Sequence, residues 1–562
     1  MSGLIFALVG LLLVGGSDAK EKFLVVPTGN GPIRGELRGA YYAFEGIPFA
    51  KAPVGDLRLA APVLNDAHWK EPLDALKPGP ACIQWSHLIK NESNRLMGEE
   101  DCLYLNIYVS TISHKDPLPT VVHIHGGAFM FGSGHFWRPD HLLTRPMIFV
   151  TFNYRLGPMG FLSTEDDVIP GNFGMKDQVV ALQWINRNIV KFGGSPHSIT
   201  LSGFSAGSAS VQLLYLSKLS RGLFKNGIAH SGSALNPWAL AENSANKTWL
   251  IASSIGCSTR SSEEMLKCLR QKPAEEIVAA VRPLFDYLYN PFSPLGIVFE
   301  KQTKNNPTPF LTQHPLDLLK KGDFYKVPIL LALDEAEGLY PGGELVSKPE
   351  YIETIDQKWD RLLPSILDFR TSLRDSEAKQ NEISHLIRKR YLGERKLTKE
   401  SFQDFVNLLS NRLYIAGVIR SARLMQVHTP VYLYYNFYKI VYGIGEDMAN
   451  GPQNFGASHG EDIVLLFNSE IRQDVPYNRE ELTMAGRFVE MYDNFARHNV
   501  ARFADHEIPR MTKKNVLQYL EINYPNCVQR ESEQLSDENF WYKLDFKDGL
   551  TDDYESPAKT EL

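Results

Sequence analysis

From about Pro119 onward the chain alternates short apolar runs with segments whose apolar residues recur at helical spacing. Thr120-Val121-Val122-His123-Ile124-His125 and Met147-Ile148-Phe149-Val150-Thr151-Phe152 read as strands, and Ile199-Thr200-Leu201-Ser202 reads as a short buried one. Between the second and third, Val179, Val180, Leu182, Trp184, Ile185 and Ile189 predict a helix over 175–192. Further strands are expected at 327–333 and 430–435, and 350–427 reads as mainly helical. Strand alternating with helix predicts an α/β fold with a large, mostly parallel central sheet flanked by helices. No internal repeat or low-complexity linker interrupts it, so the helical stretch is expected as an insertion over the sheet and 20–540 as a single domain.

The third strand runs into Gly203-Phe204-Ser205-Ala206-Gly207, and Ala206 through Tyr215 reads as the start of a helix. A serine at a strand-to-helix corner sits on a strained turn with its hydroxyl above the sheet edge and a helix N-terminus behind it. Its flanking glycines leave room for the neighbouring chain. A serine nucleophile needs a base, and the base needs an acid to orient it. In this kind of sheet they follow in the order serine, acid, histidine. His459, in Gly456-Ala457-Ser458-His459-Gly460-Glu461-Asp462, is the expected base. The acid is expected after the strand at 327–333, where spacing leaves Asp334, Glu335 and Glu337 all open. Backbone donors for an oxyanion are expected from Gly126 and Gly127, after His125, and from Ala206. His123 and His125 share a strand face, yet no carboxylate or cysteine lies near enough in sequence to complete a ligand set, so no metal is expected.

Composition changes this picture little: 562 residues, 43% hydrophobic and 22% charged, are ordinary for a globular protein. A formal net charge of -6 and the lack of a basic stripe argue against a nucleic-acid partner. The N-terminus does add something. Leu4 through Val14 is apolar but too short to span a bilayer, and Ser17-Asp18-Ala19 fits a cleavage site. A signal peptide over 1–19 is expected, with a cut after Ser17 as the alternative. No later segment is long and apolar enough for a membrane helix, and 541–562 is a polar, acidic tail. The secretory pathway suits the cysteines, of which Cys82 with Cys102 and Cys257 with Cys268 make natural short-loop pairs, leaving Cys527 over. Sequence alone does not fix that connectivity. Asn91-Glu92-Ser93 and Asn246-Lys247-Thr248 are glycosylation acceptors in such a compartment. The terminal Lys559-Thr560-Glu561-Leu562 resembles a lumenal retention signal, so secretion and retention in the endoplasmic reticulum both stay open.

Several blocks together resemble the type-B carboxylesterases. Phe192-Gly193-Gly194 leading into Ile199 through Gly207 is similar to that family's serine signature. Glu100-Asp101-Cys102-Leu103-Tyr104-Leu105-Asn106-Ile107 resembles its second. Phe44 through Ala50 and Asn153 through Gly157 are similar to further blocks, and the likeness runs from about Val25 to about Pro525. Within the family it looks most like insect carboxylesterases, including juvenile-hormone-esterase-like enzymes. The resemblance implies an α/β-hydrolase fold and a Ser205, Glu337, His459 triad, with Glu335 as the fallback acid. It further implies the two disulfides named above, ion pairs Arg58–Glu100 and Arg155–Asp177, and Trp238 lining an acyl pocket.

One departure bears on substrate. Many members, cholinesterases among them, carry glutamate where this chain has Phe204, and no tryptophan stands just before Cys102 as a cation-binding ring. The expected activity is therefore hydrolysis of small to medium lipophilic esters through an acyl-enzyme, without a cofactor, and not of choline esters. A dedicated juvenile hormone or pheromone esterase is the alternative. A non-catalytic adhesion protein is the remote one, because such relatives usually lack a triad member and carry a membrane helix.

Overall fold

The computed structural model describes residues 22–110, 116–370, 377–472, 475–544 and 546. The expected signal peptide, the terminal tetrapeptide and most of the expected tail lie outside the described residues. Twelve strands build the main sheet, the first six being β1 (Phe23–Thr28), β2 (Gly31–Arg38), β3 (Tyr41–Pro48), β4 (Tyr104–Val109), β5 (Leu118–Ile124) and β6 (Ile148–Phe152). They continue with β7 (Gly194–Phe204), β8 (Asn226–His230), β9 (Ile329–Asp334), β10 (Val431–Asn436), β11 (Leu517–Ile522) and β12 (Val528–Ser532). With the short Leu73–Asp74 beside β2 they form one sheet in the order β1-β2-β3-β4-β6-β5-β7-β8-β9-β10-β11-β12.

Every neighbouring pair from β6 through β11 is parallel. The pairs from β1 to β6 and the last pair are antiparallel. All residues of β5, β6 and β9 are buried, as strands covered on both faces must be, and this is why they read as unbroken apolar runs. Helix Phe173–Asn188 joins β6 to β7, and helix Ala206–Leu216 joins β7 to β8. Helices Pro349–Gln357, Trp359–Ile366, Glu377–Tyr391, Phe402–Ser410 and Ala416–Met425 make up the expected insertion, which shares one hydrophobic core with the sheet.

The four leading strands, the central β8 and the final two were not anticipated by periodicity. The outermost of them border water: Phe23 and Val25 of β1 are exposed, and four of the five residues of β12 are exposed, whereas β8 and all of β4 but Tyr104 are buried and β8 opens on Asn226 and Gly227. Both short-loop disulfides form, Cys82–Cys102 and Cys257–Cys268, and Cys527 is buried without a partner cysteine. Arg58 meets Glu100 with Nε 2.7 Å from Oε1, and Arg155 grips Asp177 with contacts of 2.9 and 2.8 Å. No helix among the described residues is long and apolar enough to cross a membrane.

Candidate active site

At the carboxyl end of β7 the chain turns through Ser205, whose φ of 58° and ψ of -120° lie in a region that costs an L-residue energy. The turn holds because the Ser205 N–H donates to the His230 carbonyl at 2.8 Å and helix Ala206–Leu216 starts at once. Both flanking glycines are required. A methyl group on Gly203 would strike the Gly207 carbonyl, and one on Gly207 would strike the Ile124 carbonyl of β5.

The Gly126–Gly127 loop follows β5 and lies against this turn: a β-carbon on Gly126 would sit 3.0 Å from Ser205 Cβ. Burial pushes His125 down to about 4, so its ring is neutral, and Nδ1–H donates to the Gly126 carbonyl at 2.8 Å. The Tyr154 hydroxyl donates to the His125 carbonyl at 3.0 Å. Because a trans peptide points its C=O and N–H in opposite directions, both bonds turn the N–H groups of Gly126 and Gly127 away from His125 and Tyr154. His123 takes another partner, with Nδ1 3.0 Å from Ser202 Oγ.

Of the three candidate acids, Glu337 meets the base: His459 Nδ1 lies 2.5 Å from its Oε2, and both side chains are buried. The Asp334 N–H donates to Glu337 Oε1 at 2.9 Å and fixes the carboxylate. Asp334 instead accepts from Gly460 N–H at 2.9 Å and from the Asn436 amide at 2.7 Å. Burial, then the charges of Asp462 and Glu337, push Asp334 well above the carboxylate range. Glu335 lies toward Gly456 and is only half-buried. The acid and base loops are joined directly by Ala336 N–H donating to the Ala457 carbonyl at 2.7 Å.

Three aromatic rings surround the His459 imidazole. Phe204 and Tyr414 each lie 4.6 Å away between centroids, and Tyr340 stacks at 5.5 Å. Phe204 also packs edge-on against Trp137. Tyr414 belongs to a π-helical turn, Asn411–Ile415, of the insertion, an irregularity that often marks functional positions. Trp238 is buried 6.1 Å from Tyr414, with its Nε1–H donating to the Leu413 carbonyl at 2.6 Å. Neither tyrosine was signalled by the sequence: Tyr414 reaches the site only through long-range packing, and Tyr340, three residues past Glu337, looks like any core aromatic.

A cavity of about 280 Å³ opens beside His125, Gly126, Gly127 and Phe204. Phe131, Phe136, Trp137 and Ile471 give it apolar walls. Another wall consists of Gln84, Ser86, Leu88, Ile89 and Met97, all inside the loop closed by Cys82–Cys102.

Glu461, two residues past the base, is pushed up to about 8 by burial and then by Glu446, against hydrogen bonds from Ile440 and Ser458. A raised folded value means its contribution to stability is complete below the ordinary 4.5 and is lost as pH rises through about 8. Glu461→Gln should therefore flatten the decline of the urea midpoint across that window. An unchanged slope would show that Glu461 is ionised throughout.

A model of the carboxylesterase family matches residues 22–541. Venom carboxylesterase-6 of Apis mellifera is 34% identical over 534 residues, covering 93% of this chain and 94% of that protein. A carboxylic ester hydrolase of Bombus ignitus is 36% identical over 556 residues, covering 97% and 98%. The crystal structure of juvenile hormone esterase from Manduca sexta, with OTFP covalently attached, superposes with a TM-score of 0.79 at 27% identity, covering 93% of this chain and 98% of that one. The chain belongs to the carboxylesterase family, with the α/β-hydrolase fold, and is a carboxylic-ester hydrolase.

Proposed function

We propose that Ser205, His459 and Glu337 hydrolyse small to medium lipophilic esters through an acyl-enzyme. The observation that carries this reading is the 2.5 Å bond from His459 Nδ1 to Glu337, which leaves Nε2 as the ring nitrogen able to take a proton. Ser205 Oγ attacks the ester carbonyl carbon while its proton passes to His459 Nε2. The resulting oxyanion is held by the N–H groups of Gly126, Gly127 and Ala206, whose directions are fixed before substrate arrives. The bond to the alcohol oxygen then breaks, and His459 returns the proton to that oxygen. Water attacks the acyl-enzyme in the same way, giving up its proton to His459, and Ser205 recovers it as the carboxylic acid leaves.

The apolar cavity walls favour a lipophilic substrate, and Phe204 offers a ring where a cationic alcohol would need a carboxylate. Trp238 is assigned to the wall of the acyl pocket, behind Tyr414. A dedicated juvenile hormone esterase is the second reading, favoured by the likeness to the Manduca sexta enzyme. Two formed disulfides and exposed acceptors at Asn91 and Asn246 support passage through the secretory pathway, ending in secretion or, through Lys559-Thr560-Glu561-Leu562, in lumenal retention.

The test is covalent labelling. An organophosphate should inactivate the purified enzyme at one phosphoryl group per chain, carried on Ser205, while a short-chain aryl ester is turned over. Active enzyme labelled elsewhere, or not at all, overturns the mechanism. Rates on simple aryl esters beside juvenile hormone separate the two substrate readings.

A further inference from the structure

Beneath the reacting groups runs a buried line of side chains that the mechanism above does not use. His230, the last residue of β8, is enclosed, with Nδ1 2.8 Å from Asp462 Oδ2 and Nε2 2.5 Å from the Tyr492 hydroxyl. That hydroxyl is 2.9 Å from Ser202 Oγ, which in turn is 3.0 Å from His123 Nδ1. At the other end Tyr434 donates to Asp462 Oδ2 at 2.7 Å.

The proton positions follow from the ends of the line. Burial pushes His123 well down, so it is neutral. Its Nε2 has no partner among the described residues, so the single proton sits on Nδ1, where it can be donated. Each member then donates to the next: His123 to Ser202, Ser202 to Tyr492, Tyr492 to His230, and His230 to the Asp462 carboxylate. Burial alone would raise Asp462, but the hydrogen bonds it accepts from His230 and Tyr434 outweigh it and hold it below its ordinary value.

Each anchor of this line stands near one part of the site. His123 precedes the Gly126–Gly127 loop by three residues, Ser202 precedes Ser205 by three, and Asp462 follows His459 by three. His230 does more, because its own carbonyl receives the Ser205 N–H at 2.8 Å while its imidazole binds the helix Glu461–Leu466 that follows His459.

We infer that His230 is a positioning residue, fixing the Ser205 turn and the His459 loop relative to one another through a buried Asp462–His230 pair. The inference rests on the serine mechanism proposed above. A polar line that merely satisfies itself would affect stability; one that sets the distance between nucleophile and base must affect turnover.

The experiment compares His230→Leu, His230→Gln and Tyr492→Phe in the full chain, with Ser205→Ala as control. It reads kcat and KM on one aryl ester, the organophosphate labelling rate, and the melting curve. His230→Leu should lower kcat on the order of 10- to 100-fold and slow labelling in parallel, with KM within about twofold. His230→Gln should recover most of kcat, since its amide can donate to Asp462 and accept from Tyr492. A folded His230→Leu with wild-type kcat, a loss that glutamine does not rescue, or a rise in KM alone overturns the inference. If His230→Leu does not fold, Tyr492→Phe decides, with an expected loss in kcat of about threefold to tenfold at unchanged KM; unchanged kcat overturns it. An active Ser205→Ala would remove the serine mechanism itself, whereas an inactive one beside a fully active His230→Leu removes only this inference.

Discussion

Ser205→Ala should reduce kcat on the order of 10⁴- to 10⁶-fold while leaving the melting temperature near that of the wild type. The size follows from the loss of the covalent route: without Oγ, neither His459 nor the oxyanion donors have an attacking atom to serve. The residual rate is what binding and the donors at Gly126, Gly127 and Ala206 still give to attack by water. Fold should persist because the Ser205 turn is built by backbone, through the bond to the His230 carbonyl and the tight approach of Gly203 to Gly207. Alanine tolerates the strained dihedrals no better than serine, so no compensating gain in stability is expected. Steady-state kinetics with a melting curve checks both halves. Substantial turnover by a folded Ser205→Ala protein would exclude the acyl-enzyme.

Glu337→Gln should cost about 10³- to 10⁴-fold in kcat, and Glu335→Gln should cost almost nothing. An amide at 337 keeps the shape of the side chain but can present its N–H₂ to His459 Nδ1, which favours the tautomer with its proton on Nε2. That form cannot accept from Ser205. It also withdraws the charge that would stabilise the imidazolium. Glu335 is turned toward Gly456 and shares no bond with His459, so its replacement serves as a control on the same loop. Measuring kcat for the two variants side by side is enough, and equal losses would mean that the loop, not the Glu337 carboxylate, matters.

The central strands other than β8, and the serine turn, were legible in the sequence because burial on both faces leaves mostly apolar runs, and a strand-to-helix corner needs glycines at fixed places. The acid was legible only as a choice of three. Asp334, Glu335 and Glu337 lie within four positions of an irregular turn, where no periodicity says which carboxylate faces inward; the Ala336–Ala457 backbone bond decides that, and it depends on a loop more than a hundred residues away. Tyr414 was illegible because an aromatic in a helical insertion looks like any core residue, and Tyr340 because nothing in the acid turn says which way its ring points. The edge strands escaped notice because their half-wet faces dilute the apolar signal. His230 left no clear signal, because its strand Asn226–His230 is polar at both ends and its partners Asp462 and Tyr492 are far off in the chain.

The five cavity-wall positions inside the Cys82–Cys102 loop have an evolutionary consequence. That loop contributes walls to the cavity and none of the groups assigned to bond making or breaking. Mutations accumulating between the two cysteines can therefore retune which ester is admitted while inherited reactivity passes down unaltered. Duplicated copies of such a gene could diverge toward new dietary, defensive or signalling esters by rewriting one covalently bounded segment.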